Sequence, residues 1–157
     1  MIKVDAVIFD LDGTLADITH RLHHIDKDHA DENGHYSDEV DWDAFNDACH
    51  RDKPHKDIIE LLRMYKSRHY VVWILSGRGD SAREKTIAWL KEHDVPYDFL
   101  MMRPEKDFRP DEVLKAQMLE EVQTHYVVHL CVDDRSKVVR MWREKGLRCL
   151  QVAQGDF

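Results

Sequence analysis

This sequence is short of several things, and each shortage closes off a class of answer. Cysteine occurs three times in 157 residues, at Cys49, Cys131 and Cys149. An odd number of widely spaced thiols makes a poor disulfide framework and predicts reduced cysteines in a cytoplasmic setting. No stretch approaches the roughly 20 consecutive apolar residues that a bilayer-spanning helix needs, so no membrane partner is expected. The opening MIKVDAVIFD lacks the basic flank, long apolar core and small-residue cleavage site of a signal peptide. Positive charge is scarce as well: 23 Lys and Arg face 31 Asp and Glu, a formal net charge of −8. That balance argues against binding along the length of a nucleic-acid duplex, where phosphate neutralisation dominates affinity. It leaves room for a local basic pocket that grips one phosphate or one strand end. Repeats, low-complexity tracts and any G-x-x-x-x-G-K-[ST] phosphate loop are absent.

What the chain does contain is a soluble balance of 43% hydrophobic and 34% charged residues. The simplest organisation is a single domain over residues 1–157, long enough to bury about two thirds of its unfolded surface. Apolar periodicity alternates between short strands and amphipathic helices. Val4–Phe9, Tyr70–Leu75, Tyr126–Val132 and Leu147–Val152 read as strands, with Asp98–Met102 as a shorter one. Helices are predicted over Asp57–Tyr65, Ser81–His93 and Asp111–Val122, and from an N-cap at Ser136 to a stop at Gly146. In the second of these, Ala82, Ile87, Trp89 and Leu90 are the expected core contacts.

Such alternation predicts a parallel sheet with helices on both faces, whose ligand sits beyond the carboxyl ends of the strands. DLDGT, SGR and DDR each follow a predicted strand, so they should meet on that one rim. Residues 20–56 break the pattern. They are rich in charge, hold five of the eleven histidines between His20 and His35, and offer one short helical candidate, VDWDAFNDACH. A small helical insertion placed to cover the site is expected there.

Asp10 and Asp12 lie two residues apart, which on a continuing strand puts both carboxylates on one face. Gly13 permits a sharp turn, and Thr14 a local hydrogen bond. Carboxylates held close repel, which raises one pKa or calls for a cation. Asp133 and Asp134, after another strand, add charge to the same rim. Hard oxygen ligands in such number suit magnesium. Ser76-Gly77-Arg78 brings a hydroxyl, turn amides and a planar guanidinium, all able to hold phosphate oxygens.

Asp111 and Lys115, at i and i+4 on one helix face, have two readings. They form either a surface ion pair or a carboxylate that fixes an ammonium beside a phosphoryl group. The insert's histidines fit no tight zinc pattern. Trp42, Trp73, Trp89 and Trp142 read as packing residues, although Trp42 and Phe45 could instead stack on a nucleobase. Arg103, Lys106 and Arg109 are candidates for gripping a neighbouring phosphate.

Together, DLDGT, ILSGR, Lys115 and VDDR resemble, in order, the motifs of the haloacid dehalogenase superfamily of phosphotransferases. That resemblance implies a Rossmann-like α/β three-layer sandwich and an aspartyl-phosphate mechanism. Asp10 would be the nucleophile and Asp12 the general acid and base, while Ser76 and Lys115 hold the phosphoryl oxygens. Asp10, the backbone carbonyl of Asp12, and Asp133 would bind Mg2+, supported by Asp134. RPDEVLKAQMLEEV and the run from VDDRSKVVRMWREKG to Phe157 narrow the likeness to the 3′-phosphatase domain of phage-type polynucleotide kinase-phosphatases. This implies a 3′-phosphorylated DNA or RNA end as substrate and adds Thr14, Arg21, Gly77, Arg78 and Asp111 as substrate-binding positions. With no kinase loop, the expectation is a phosphatase module without its kinase half. The competing expectations are a 5′(3′)-nucleotidase or small-molecule phosphomonoesterase, and a non-catalytic metal-dependent binding module.

Overall fold

The computed structural model describes residues 2–155. Its seven strands, in chain order, are β1 (Val4–Phe9), β2 (Ala16–Asp17), β3 (Lys53–Pro54), β4 (Val71–Gly79), β5 (Phe99–Arg103), β6 (Tyr126–Asp133) and β7 (Cys149–Gln151). The helices are α1 (Trp42–Asp47), α2 (Lys56–Ser67), α3 (Arg83–Glu92), α4 (Asp111–His125) and α5 (Ser136–Glu144). Five strands form an all-parallel sheet in the order β5-β4-β1-β6-β7.

Side-chain alternation in β1 separates the layers. Val7 and Phe9 pack on one face with Ile59 and Leu62 of α2 and Trp89 and Leu90 of α3. Ile8 points to the other, among Leu114, Met118 and Leu119 of α4 and Val138, Val139 and Trp142 of α5. The result is the expected three-layer α/β sandwich. Cys49, Cys131 and Cys149 are buried free thiols. Among the described residues, no helix is long and apolar enough to cross a membrane.

Because β1 is central, its carboxyl end lies between β4 and β6. Phe9 is level with Ile74 on one side and Val132 on the other. The chain therefore emerges at Asp10 with Ser76 and Asp133 close by in the neighbouring strands. This is the crevice where an open parallel sheet takes its ligand.

The insertion leaves and returns through the antiparallel ribbon of β2 and β3, where Ala16 is level with Pro54 and Asp17 with Lys53. Between them come a 3-10 turn over Thr19–His24, helix α1 and a second 3-10 turn over Ala48–Arg51. Asp41 caps α1 by accepting a 2.9 Å hydrogen bond from the Ala44 amide.

Three local expectations are corrected. SGR does not follow the end of its strand: β4 continues to Gly79, with a register shift in which Leu75 and Gly79 face Met101 and Arg103. Four steps of β4 thus oppose two of β5, and the bulge re-aims Ser76 and Arg78. Ile87 is 42% exposed rather than packed in the core. Thr86 takes the buried position beside Trp89 and Leu90, where its hydroxyl accepts a 2.8 Å bond from Arg78. Ser136 is the first residue inside α5, not its cap, and its Oγ accepts from Gln151 Nε2 at 3.1 Å.

Candidate active site

The acids of the two motifs do not form one set. Because β1 stops at Phe9 and the chain turns through Gly13, the Asp10 and Asp12 carboxylates acquire different neighbours. Asp10 joins Asp133 and Asp134, and one carboxylate oxygen from each lies within 4.8 Å of the other two. Lys115, 2% exposed, reaches across from α4 and donates to Asp10 Oδ1 at 2.6 Å and to Asp133 Oδ2 at 3.0 Å. Thr14 donates to Asp10 Oδ2 at 3.0 Å. Asp133 is held further by the Asp134 amide at 2.9 Å and by the Trp142 indole N–H at 3.2 Å.

One ammonium does not balance three buried acids. Burial, and then the charge of Asp133, raises the Asp10 pKa well above its usual range despite Lys115. Burial and Asp133 likewise push Asp134 up to about 6. Burial alone would depress Lys115, but Asp10 and Asp133 outweigh it and keep the ammonium charged.

Three converging hard-oxygen donors with unbalanced negative charge fit a small divalent cation such as magnesium. The backbone makes room for the cluster: a Cβ on Gly13, which sits at φ +80°, would lie 2.1 Å from Asp134 Oδ2. The Asp12 side chain stands outside this cluster, so its carboxylate is not among the converging ligands.

Asp12 faces two arginines instead. Arg21 Nη2 donates to its Oδ1 at 2.6 Å, and Arg78 Nη2 makes a very short contact with the same oxygen. Burial would raise the Asp12 pKa, but Arg78 and Arg21 reverse this and hold the carboxyl far below its usual range. Both guanidiniums meet again on Asp52. Arg21 donates to it from Nε and Nη2, each at 2.7 Å, and Arg78 approaches it at 3.4 Å. His20 Nε2 lies 2.8 Å from Asp52 Oδ1, and Trp89 Nε1 donates to the Asp52 carbonyl at 2.8 Å. Asp52 went unnoticed in the sequence because a lone acid in a charged insertion carries no signal. Only the folded ribbon brings it beneath Arg21.

The remaining expectations sort by what each side chain touches. Ser76 is fully buried, and its Oγ accepts the Arg78 amide at 3.1 Å. Asp111 does not bind Lys115 directly. Arg135 donates to its Oδ2 at 2.6 Å and Arg103 to its Oδ1, while Lys115 is taken by Asp10 and Asp133. Arg103 also donates to the carbonyls of Gly77, Asp107 and Arg109, which makes it a strut for the 104–110 loop rather than a phosphate grip. Arg109 is committed to Asp107 and Gln117, and Lys106 is exposed. Gly77 packs so close that an added Cβ would meet Asp111 Oδ1 at 2.4 Å.

Phe45 is not free to stack on a base, since the Arg21 guanidinium lies 4.1 Å above its ring. Trp42, 56% exposed, touches it edge-on. Among the described residues no histidine cluster has metal-binding geometry.

Known proteins resemble this chain over most of its length. The family model described as "Polynucleotide kinase PNKP phosphatase domain" matches residues 34–157. The chain belongs to this family. The matched region includes β4, α4 and the β6 acids, whereas DLDGT precedes it. A viral protein named for polynucleotide kinase and RNA ligase activities (Autographa californica nuclear polyhedrosis virus) is 28% identical over 142 residues, covering 88% of this chain and 18% of its own.

A chain of the Pnkp1/Rnl/Hen1 RNA repair complex is 36% identical with a TM-score of 0.80, covering 99% of this chain. This chain spans 47% and 44% of that one in two structures. It thus spans less than half the length of the relatives it matches first. The class C acid phosphatase of Bacillus anthracis, 15% identical over the whole chain and 69% of its own, shares the fold with a TM-score of 0.73. The kinship with haloacid dehalogenase-type phosphatases, and with the polynucleotide kinase phosphatase domain, therefore holds. Asp156 and Phe157, which end the resembling stretch, lie outside the described residues.

Proposed function

We propose that this chain is a magnesium-dependent phosphatase that removes the 3′-phosphate from DNA or RNA ends through an aspartyl-phosphate. The observation that carries the reading is the split of the two carboxylates after β1. Asp10 sits with a lysine and two acids, and Asp12 with two arginines. With a cation offsetting Asp133 and Asp134, Asp10 would suit attack on phosphorus, while Asp12, held ionised by its arginines, suits accepting and relaying a proton.

In the first step an Asp10 oxygen forms a bond to phosphorus as the ester P–O bond breaks. Asp12, held ionised by its arginines, takes the proton of the phosphate monoanion and passes it to the departing 3′-oxygen. In the second, Asp12 takes a proton from water while the water oxygen attacks phosphorus. Phosphate leaves, and the Asp10 carboxylate is restored. Ser76 and Lys115 hold the phosphoryl oxygens, and Thr14 fixes the Asp10 rotamer. Arg21 and Arg78 orient Asp12, a role their contacts favour over direct substrate binding. Asp10, Asp133 and Asp134 would hold magnesium, which supplies charge neutralisation for the phosphoryl group.

The polynucleotide end is favoured by family membership and by likeness to a chain of an RNA repair complex. The formal charge of −8 favours a second reading, a phosphomonoesterase of mononucleotides or other small molecules. A substrate panel with magnesium and with chelator separates them. Release from 3′-phosphorylated oligonucleotides should exceed release from mononucleotides at matched concentration, and the reverse order defeats the leading reading. Asp10→Asn should abolish release while leaving the fold intact. A wild-type protein that releases nothing from any substrate with magnesium would point to a binding module.

A further inference from the structure

The chain carries a net charge of −8, yet residues 135–148 hold Arg135, Lys137, Arg140, Arg143, Lys145 and Arg148 against the single acid Glu144. This cationic stretch begins one residue after the acid pair at the end of β6. Helix α5 turns Val138, Val139, Met141 and Trp142 into the core, which leaves Lys137, Arg140 and Arg143 exposed. Ser136, Arg140 and Arg143 follow i, i+4, i+7 spacing and share one face, an edge about 10 Å long at 1.5 Å per residue.

Across from that edge stands Gln151 of β7. Ser136, Arg140, Arg143 and Gln151 line a groove between the two elements, with Glu144 the one acid in its wall, and a second groove leads from the same Ser136 and Gln151 towards Gln154. Gln151 ties the groove to the acid cluster: its Nε2 donates to the Asp134 carbonyl at 3.0 Å and to Ser136 Oγ at 3.1 Å.

The cations here differ from those around the site itself. Arg21, Arg78, Arg103 and Lys115 are consumed by internal acids and carbonyls. Lys137 and Arg140 have no hydrogen bond or ion pair among the described residues. Arg143 spends one donor on the Cys149 carbonyl at 3.1 Å, and a guanidinium carries five.

We propose that the α5–β7 groove binds the sugar-phosphate backbone of the strand whose end lies in the active site, with Arg140 and Arg143 on its phosphates. The inference rests on the polynucleotide reading above and gives it a physical address. A chain repulsive to nucleic acid overall can take one strand end here because Arg140 and Arg143 line a groove that starts at the rim, at Ser136 and Gln151.

The test uses the full chain and 5′-labelled single strands of about ten nucleotides, ribo and deoxy, ending in a 3′-hydroxyl so that no turnover intervenes. Fluorescence anisotropy should show Arg140→Glu binding at least about fivefold weaker than the wild type at low salt. The slope of log affinity against log salt should shrink by about 0.7 for each lost single-strand phosphate contact. Arg140 has no hydrogen-bond or ion-pair partner among the described residues, so this substitution removes no internal contact there. Arg140→Glu with Arg143→Glu should weaken binding further. The difference between ribo and deoxy strands reports which of them the groove prefers.

Unchanged affinity and salt slope in both variants would overturn the groove. In the kinetic arm, kcat/KM for a 3′-phosphorylated oligonucleotide divided by that for nitrophenyl phosphate should fall about tenfold, through KM. A constant ratio in an active enzyme defeats the groove and leaves the phosphatase reading standing. If neither compound is hydrolysed, the phosphatase reading fails, and anisotropy still decides the groove.

Discussion

Arg21 grips Asp52 through two parallel N–H···O bonds of 2.7 Å, and neither side chain is exposed to solvent. This pair fastens the insertion to the catalytic rim, because Arg21 follows β2 and Asp52 precedes β3.

Asp52→Asn keeps the shape and removes the charge, leaving two buried guanidiniums to share Asp12 alone. The expected loss is about 3–5 kcal/mol of stability, the usual consequence of breaking a buried pair on one side. Urea denaturation of the variant measures it, and an unchanged midpoint would remove Asp52 from the network.

Asp12→Asn should keep an oxygen for the arginines while abolishing proton transfer. Turnover of an alkyl phosphate should drop by about 10²–10⁴. Formation of the covalent intermediate from nitrophenyl phosphate should suffer far less, since nitrophenolate leaves without a proton. Rapid-quench kinetics on both substrates reveals the difference, and equal losses would argue against the acid role.

Gly13→Ala meets two obstacles at once. Its φ of +80° disfavours any side chain, and the new Cβ would lie 2.1 Å from Asp134 Oδ2. A destabilisation of about 1–3 kcal/mol is expected from the forced shift, together with weaker magnesium binding. Calorimetric titration with magnesium checks the second effect, and wild-type affinity in the variant would contradict the crowding.

The pH dependence of the metal-free protein has a definite sign at Asp134. Its pKa rises from the usual 3.8 to about 6. A carboxyl with a raised folded-state pKa binds more protons folded than unfolded, so its contribution to stability declines as pH climbs through that window. Magnesium competes with those protons. The rise in melting temperature on adding it should therefore be larger at about pH 7.5 than at about pH 5. Thermal melts of wild type and Asp134→Asn resolve the share of this residue, and a magnesium effect independent of pH would rule the linkage out.

The sheet and the rim were legible because β1, β4 and β6 each write a near-continuous apolar run directly into a polar motif. Parallel strands buried on both faces leave such runs, and ligand chemistry follows their carboxyl ends. Lys115 was legible for a different reason. Its spacing from Asp111 marked the helix face, although the acid it serves is Asp10, 105 residues earlier. What stayed hidden was pairing over long separations. Nothing local distinguishes Asp52 from the insertion's other acids, or Arg103 from a surface cation. Their roles arise only when β2 meets β3 and when the 104–110 loop folds back on Gly77. Asp10 and Asp12 were expected on one face because strand periodicity was carried one turn too far.

The contact between the Trp142 indole and Asp133 Oδ2, at 3.2 Å and shielded from water, has a use beyond packing. An indole next to a buried carboxylate feels every change in that carboxylate's charge environment. Its emission should therefore shift when the acid cluster is neutralised, an optical gauge of site occupancy that Trp142→Phe would separate from the other three tryptophans.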